Sequence, residues 1–338
     1  MNKGAEMKSI RGVLTTTGAA LVMVSGVAWE AAGAAPTAAA TTPKPPAVAA
    51  SSALGGTSSG SGGGAGGSVY VRFNATGAAQ IVWARPGAPL RVATLGGGRR
   101  ITQVAVSPDG TKAAWVYQGK VHVTRYTATG RAIGDRTIAT DAGHAPCETP
   151  VFSPDSKTVA YPSRAKSTVP VIAAAKADGT KRYVIGRIRG SCHLAWSGNG
   201  RYLAGYSGGT AGVHLLDVRT HTSRKVPGIR YANHVQSLSP NGRRMIVHRL
   251  TPSDPGGDGM WPYGFRPTIV DTKTGKTVAI PVRGTLLGAM YLKDGRLMVR
   301  VKGKMHNTLV VVTASGKIQR RTAEPAKVRR DALVAFPK

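Results

Sequence analysis

The stretch VAVSPDGTKAAWV, Val104–Val116, sets a turn tetrapeptide, Ser107-Pro108-Asp109-Gly110, between two apolar runs. Pro presets φ at the second position of a turn, Asp is tolerated at the third and Gly fits the fourth. One copy predicts a hairpin. The pattern returns as Ser153-Pro154-Asp155-Ser156, Ser197-Gly198-Asn199-Gly200, Ser239-Pro240-Asn241-Gly242 and, most altered, Leu292-Lys293-Asp294-Gly295. Five copies make a repeat, and a repeat decides the architecture.

Each turn follows a short apolar run (ITQVAV, ETPVF, CHLAW, HVQSL, LLGAMY) and precedes an alternating one (KAAWVY, TVAYPS, YLAGYS, RMIVHRL, RLMVRV). Alternation at period two, bounded by turn residues, predicts antiparallel strands. A third run follows, as in KVHVTRY or NTLVVVT, and a fourth closes the unit, as in RTIAT or RYVIG. Successive turns start at 107, 153, 197, 239 and 292, steps of 46, 44, 42 and 53 residues. That spacing is near the length of a four-stranded propeller blade. The long last step holds an insertion, roughly Thr251 to Phe265, between second and third strands.

A sixth unit is divided between the ends of the chain. SVYVRF, AQIVWA and LRVATL, between Ser68 and Leu95, read as second, third and fourth strands without a first. DALVAFP, Asp331 to Pro337, has the form of ETPVFSP and supplies the missing strand, which would pair with Val69–Phe73. The expected fold is therefore all-β: a six-bladed β-propeller of four-stranded antiparallel blades, its first blade closed by the C-terminal strand.

Units with SPDG between an inner strand and an alternating strand resemble the WD-repeat-like propeller repeats of the TolB family. The six-blade count and the divided blade fit that family. The resemblance spans about Val69 to Phe336, with close matches at Ser107 and Ser153. It implies a fold, and the specific TolB role is not carried over, because a linker here occupies the place of the family's extra N-terminal domain. Similar propellers precede the hydrolase domain of prolyl-oligopeptidase-type enzymes, for which no room is expected after Phe336.

The N-terminal residues read differently. Lys3, Lys8 and Arg11 precede an apolar stretch, Val13 to Trp29, followed by small residues with a cleavage site at Ala32-Gly33-Ala34. This order predicts a signal peptide over 1–34 and export, with an uncleaved anchor as the alternative. Residues 35–68, rich in Pro, Ala, Ser and Gly, read as a disordered linker. The propeller is expected over 69–338, with no membrane span after cleavage and a monomeric state.

The chain carries 46 Lys plus Arg against 15 Asp plus Glu, a net charge of +31. Such charge attracts anionic surfaces such as cell-wall polymers, acidic polysaccharide, phospholipid or nucleic acid. The alternative is that Arg-rich turns keep an exported protein soluble. No nucleic-acid motif is present, and aromatics make up only 6% of the chain, so no specific nucleic-acid partner is expected.

No catalytic motif sits in a context that gives it meaning. Gly-x-Ser-x-Gly occurs as GTSSG from Gly56, in the linker, and as GYSGG from Gly205, between two strands. A nucleophile elbow needs a strand-to-helix turn. Phosphate-loop and His-Glu-x-x-His patterns are absent. What remains is topology, since the starts of the inner strands share one face with the loops between second and third strands. That face collects His144, Cys147 and Glu148, then Cys192 and His193, then Asn233, His234 and Gln236, and the inserted loop with Trp261, Tyr263 and Phe265.

Cys147 and Cys192, in corresponding places of neighbouring blades of an exported chain, are expected to form a disulfide. His144, Glu148, His193 and His234 are a competing set of metal ligands, without a fixed spacing to support them, so neither a metal nor another cofactor is expected. The third reading is a set of polar residues lining a wet channel. His122 and His214, at matching places in third strands, read as framework. DPGGDG lacks the alternating oxygen ligands and closing Glu of a calcium loop. The functional expectation is a non-catalytic binding module of the cell envelope or extracellular space. It would recognise a protein or an anionic polymer through Trp261, Tyr263, Phe265, His193, His234 and Glu148. A small-molecule hydrolase, lactonase or lyase at the channel mouth is the alternative, although propeller lactonases need several acidic ligands and only Glu148 is placed to serve.

Overall fold

The computed structural model describes residues 67–337, apart from 165–166, 168, 208–211 and 255–264. The expected signal peptide, nearly all of the expected linker, and Trp261 and Tyr263 lie outside the described residues. Strand β1 is Ser68–Phe73, β2 Ala79–Ala84 and β3 Arg91–Thr94. The second blade holds β4 (Val104–Val106), β5 (Lys112–Tyr117), β6 (Lys120–Tyr126) and β7 (Ala132–Ala139). The third holds β8 (Val151–Phe152), β9 (Thr158–Ser163), β10 (Val171–Lys176) and β11 (Arg182–Arg187). The fourth holds β12 (Cys192–Trp196), β13 (Tyr202–Tyr206), β14 (Val213–Asp217) and β15 (Thr222–Lys225). The fifth holds β16 (Ala232–Leu238), β17 (Arg244–Arg249), β18 (Pro267–Asp271) and β19 (Thr277–Val278). The sixth holds β20 (Leu286–Tyr291), β21 (Leu297–Val301), β22 (Thr308–Val312) and β23 (Ile318–Ala323), and the last strand, β24, is Ala332–Ala335. They form six four-stranded antiparallel sheets, and the first has the order β24-β1-β2-β3. The chain is a six-bladed propeller, as expected.

The repeated turn is a small hydrogen-bonded device. The Ser107 hydroxyl donates to Asp109 Oδ1 at 2.5 Å and accepts the Lys112 amide at 2.9 Å, while Asp109 Oδ1 also accepts the Thr111 amide at 2.9 Å. Ser153 with Asp155, Ser197 with Asn199 and Ser239 with Asn241 repeat the contact. The fourth position lies in the left-handed region, at φ 70 for Gly110 and 69 for Gly242, where glycine costs least. Ser156 holds that conformation at φ 59, and its hydroxyl accepts the Asp109 amide from the neighbouring blade at 3.3 Å. The fifth turn has no serine and is shorter. There the Leu292 amide reaches the Arg296 carbonyl at 2.8 Å, one residue nearer than in the other copies.

No blade has a core of its own. Each apolar cluster lies between two neighbours, for example Ala114, Val121 and Ile138 of the second blade against Phe152, Val159 and Tyr161 of the third. Middle strands are therefore buried on both faces, as β9 is at every position, and read as nearly continuous apolar runs. Fourth strands are exposed edges, as in β15 and most of β7, and carry Arg136, Arg182, Arg224, Lys225, Arg320 and Arg321. Lys and Arg on an edge discourage pairing with another chain, which accounts for part of the positive charge.

Closure rests on more than strand pairing. β24 joins β1 through Val69↔Ala335, Tyr70↔Leu333 and Val71↔Ala332. Beside it, the Arg300 guanidinium, 7% exposed, donates to Glu324 Oε2 at 2.9 and 3.0 Å; Glu324 is fully buried. The same guanidinium donates to the carbonyls of Val328 and Asp331. Glu324 also accepts from Tyr70 at 2.9 Å and from Asn307 at 2.9 Å. Removing one member of a buried pair leaves an uncompensated charge, so Glu324→Ala should cost about 3–5 kcal/mol in a urea melt. Arg300→Met with Glu324→Leu should recover most of that loss. A melt unchanged in Glu324→Ala would show that the pair is not holding the joint.

Candidate functional site

The ring encloses a channel with two unlike ends. Its neck is a cavity of about 130 Å³ between the six inner strands, lined by apolar residues such as Val106, Leu194 and Met290 and by the polar His193, His234 and Arg300. On the side of the repeated turns it opens into a mouth of about 750 Å³. The other end lies among the crossovers between blades, where the sequence places its unusual residues.

At the crossover end the expected disulfide is present. Cys147, before β8, is bonded to Cys192, the first residue of β12, with Cα atoms 4.8 Å apart. The His193 amide donates to the Cys147 carbonyl at 2.8 Å, and His193 is held at φ 44. Its ring stacks on Tyr206 with centroids 5.7 Å apart and leans on His234 at 4.3 Å. His234 meets Phe265 edge-on at 5.4 Å, and Phe265 meets His248 at the same distance. Phe265, His193 and His234 are thus brought together, but as a buried stack, 1%, 2% and 6% exposed. They are nearly closed off from solvent, with His193 and His234 bordering the neck cavity.

Glu148 and His144 are used otherwise. Glu148 accepts the Ala145 amide at 3.1 Å and the Ser191 hydroxyl at 3.2 Å, bracing two crossovers. A Cβ on Gly143 would come within 2.0 Å of that carboxylate, so a side chain there would push the Glu148 carboxylate from its place. His144 pairs with Arg164. The four candidate metal ligands therefore do not converge, and among the described residues no group of three or more His, Cys, Asp or Glu is arranged to hold a metal ion. His122 lies flat on Trp115 at 4.0 Å and faces Asp135 at 3.3 Å, the framework role expected of it.

The turn mouth was not anticipated as a site. Phe152, Trp196, Tyr291, Leu292, Phe336 and Pro337 line it, with Asp109, Asp155 and Lys293 among its polar residues. Partial burial pushes the Asp109 carboxyl up, but hydrogen bonds from Ser107, Thr111 and Lys112 outweigh it and hold the pKa at about 2. The carboxylate is ionised at any physiological pH. The signal was present in the sequence, because each turn lies next to the end of an apolar inner strand. The turns mark a hydrophobic rim as well as a repeat.

Two outcomes follow from the crossover end. Unfolded, unreduced protein should show no free thiol on labelling, and reduction should lower stability by about 2–4 kcal/mol. Burial, and next the neighbouring His193 and His248, hold the His234 pKa well below 6.5, and its Nδ1 has no hydrogen-bond partner. The folded state keeps this imidazole neutral while the unfolded chain takes up a proton below about pH 6.5. Its contribution is complete above that pH and is lost as pH falls toward the depressed folded value. Melting temperature should drop between about pH 7 and about pH 5, and His234→Gln should flatten the drop. An unchanged slope in the variant would assign the effect elsewhere.

No protein-family model matches the chain, and no curated protein matches it. Solved structures do. TolB from Acinetobacter baumannii superposes with a TM-score of 0.54 at 17% identity, over 80% of this chain and 66% of that one. This chain thus spans just under two thirds of that structure's length. A putative TolB from Agrobacterium tumefaciens gives 0.47 at 12% identity, over 80% of this chain and 92% of that one. A chain of the nidogen/laminin complex gives 0.49 at 11% identity, over 81% and 98%. At the level of fold, the resemblance to TolB-like propellers holds.

Proposed function

We propose that this is an exported, tethered propeller that works outside the cytoplasm as a non-catalytic interaction module, gripping a partner protein or an anionic envelope polymer. The observation that carries the reading is the turn mouth, a preformed, aromatic-lined hollow of about 750 Å³ whose rim is fixed by hydrogen-bonded turns. Binding sites of this kind are concave and mostly apolar, with a few polar groups that orient the ligand. The order of residues in 1–34 supports export, and the Cys147–Cys192 bond suits an oxidising compartment. A partner segment that covers Trp196 and Tyr291 would gain the affinity that buried aromatics supply at interfaces.

The loop bearing Trp261 and Tyr263 is proposed as a second contact at the opposite mouth. The buried His193, His234 and Phe265 would anchor it, and Glu148 would brace the crossover beneath. The enzymatic alternative gains no support, because Glu148 is spent on Ala145 and Ser191.

Photo-crosslinking residues at Lys293, on the turn mouth, and at Thr251, at the root of the inserted loop, separate the two mouths. Lys293 should capture one discrete partner from envelope extract, and Tyr291→Ala with Phe336→Ala should weaken capture by about tenfold or more. Capture from Thr251 with none from Lys293 would move the main site to the other mouth.

A further inference from the structure

Turn chemistry sorts the carboxylates of this basic chain. Asp109, Asp155, Asp178, Asp217, Asp271 and Asp294 all sit in turns at one end of the blades, where each accepts backbone amides. Four of them also pair with a neighbouring base: Lys112, Arg201, Arg243 and Arg296. On the crossover face Glu148 and Asp254 each accept a single backbone amide, from Ala145 and Thr251. Its described carboxylates are Glu324 and Asp331, both buried, Asp141, paired with Arg182, Glu148, held by Ala145 and Ser191, and the exposed Asp254.

Cations on that face are left over. Every crossover between blades except the one holding Cys147 carries an exposed Arg or Lys: Arg99, Arg189, Arg230, Arg283 and Lys327. Among the described residues none of these pairs with a carboxylate. The turn face is a patchwork of both signs, whereas the crossover face is nearly all positive.

An apolar side chain stands within this field. Met305, 76% exposed, is at the tip of the loop between β21 and β22, with Lys302, Lys304 and His306 around it. The loop closes tightly on itself. Gly303 packs so closely that a Cβ would meet the His306 carbonyl oxygen at 1.9 Å, and Asn307 is fully buried, donating to Glu324 and to the Arg329 carbonyl. The Lys302 amide ties the other side to the Thr285 carbonyl at 2.8 Å. Both flanks of the loop are therefore fastened, the second of them to the last crossover through Asn307 and the Arg329 carbonyl.

We propose that the crossover face docks on a phospholipid bilayer with anionic headgroups, the cations lying at the headgroups and Met305 entering the acyl boundary. A basic face with an apolar projection is the arrangement that binds such an interface. Each cation near an anionic surface strengthens binding about fivefold. A soluble polyanion would use the charges and leave Met305 idle, which is why the bilayer is favoured. The docking does not depend on the partner proposed for the turn mouth, at the other end of the channel; it shares its face with the loop proposed as a second contact, which the substitutions at Lys302, Lys304 and Met305 leave untouched.

Co-sedimentation of the full chain with vesicles of phosphatidylcholine, alone or mixed with phosphatidylglycerol, tests this. Binding should require phosphatidylglycerol and weaken as salt rises. Lys302→Glu with Lys304→Glu should reduce it by more than tenfold, and Lys273→Glu with Lys276→Glu, an equal charge change on the turn face, by less than about twofold. Met305→Ser should weaken vesicle binding about threefold or more and leave binding to inorganic polyphosphate unchanged. All these side chains are exposed, and a urea melt confirms that the variants fold. Equal losses from both charge pairs would reduce the effect to net charge and overturn the proposal. So would a Met305→Ser variant that sediments with vesicles as the parent does, since the ligand would then be a soluble polyanion. Indifference to phosphatidylglycerol would end it.

Discussion

The ring depends on the joint between its last blade and its first, and that joint is built around the buried ion pair of Arg300 and Glu324. Every other blade is built from four strands consecutive in the chain, whereas the first is completed by β24 from the far end, so only strand pairing and side chains hold it shut. This joint brings Tyr70 and Val82 from one end of the fold against Met290 and Met298 from the other. Burying a charged pair is not in itself a source of stability, because desolvation offsets much of the attraction. Its value here lies in direction. A guanidinium with donors fixed in one plane binds Glu324 and several crossover carbonyls at once, and so fixes the path into β24. Since each blade buries its faces only against neighbours, an open joint would expose two of them. Closure and core formation are one event.

The difference between the two ends of the propeller has a local origin. Asp and Asn recur in the turns because their side chains cap backbone amides there, and the crossovers, which are longer and irregular, have no equivalent need. Half of the twelve described acids thus sit in turns at one end, and most of those at the other end are buried or already paired, so without any dedicated charged motif the molecule acquires a mixed face and a cationic face. The same turns rim an apolar mouth, because they end inner strands whose side chains line the channel.

Much of this was legible in the residues. The turn tetrapeptides at 107, 153, 197 and 239 carried blade count and register, since each is a hydrogen-bonded unit whose chemistry is readable in four letters. The fifth was legible only by position, because its Leu292 replaces the serine and backbone contacts close the turn. The closing strand was legible from DALVAFP, but the Arg300–Glu324–Asn307 cluster beside it was not. Those residues are spread over β21, the loop after it and the last crossover, and only the fold brings them together. The disulfide followed from matching places in adjacent blades. The site was read less well. His193, His234 and Phe265 share a face as expected, yet packing turns them inward, and burial is a property that a polar or aromatic letter does not disclose. The turn mouth went unread because its lining was taken only as strand core.

The neck gives the two ends their independence. With about 130 Å³ between six inner strands, against about 750 Å³ at the turn mouth, it holds little more than water molecules. A partner seated in the turn mouth and a surface on the crossover face would therefore approach the channel from opposite ends. Communication between the ends would have to pass through the inner strands themselves. These are short and packed against neighbours on both sides, and nothing among the described residues offers a second arrangement for a ligand to select. The two faces are best understood as separate contacts on one rigid body. Simultaneous engagement then strengthens the whole through proximity, with no change of shape required.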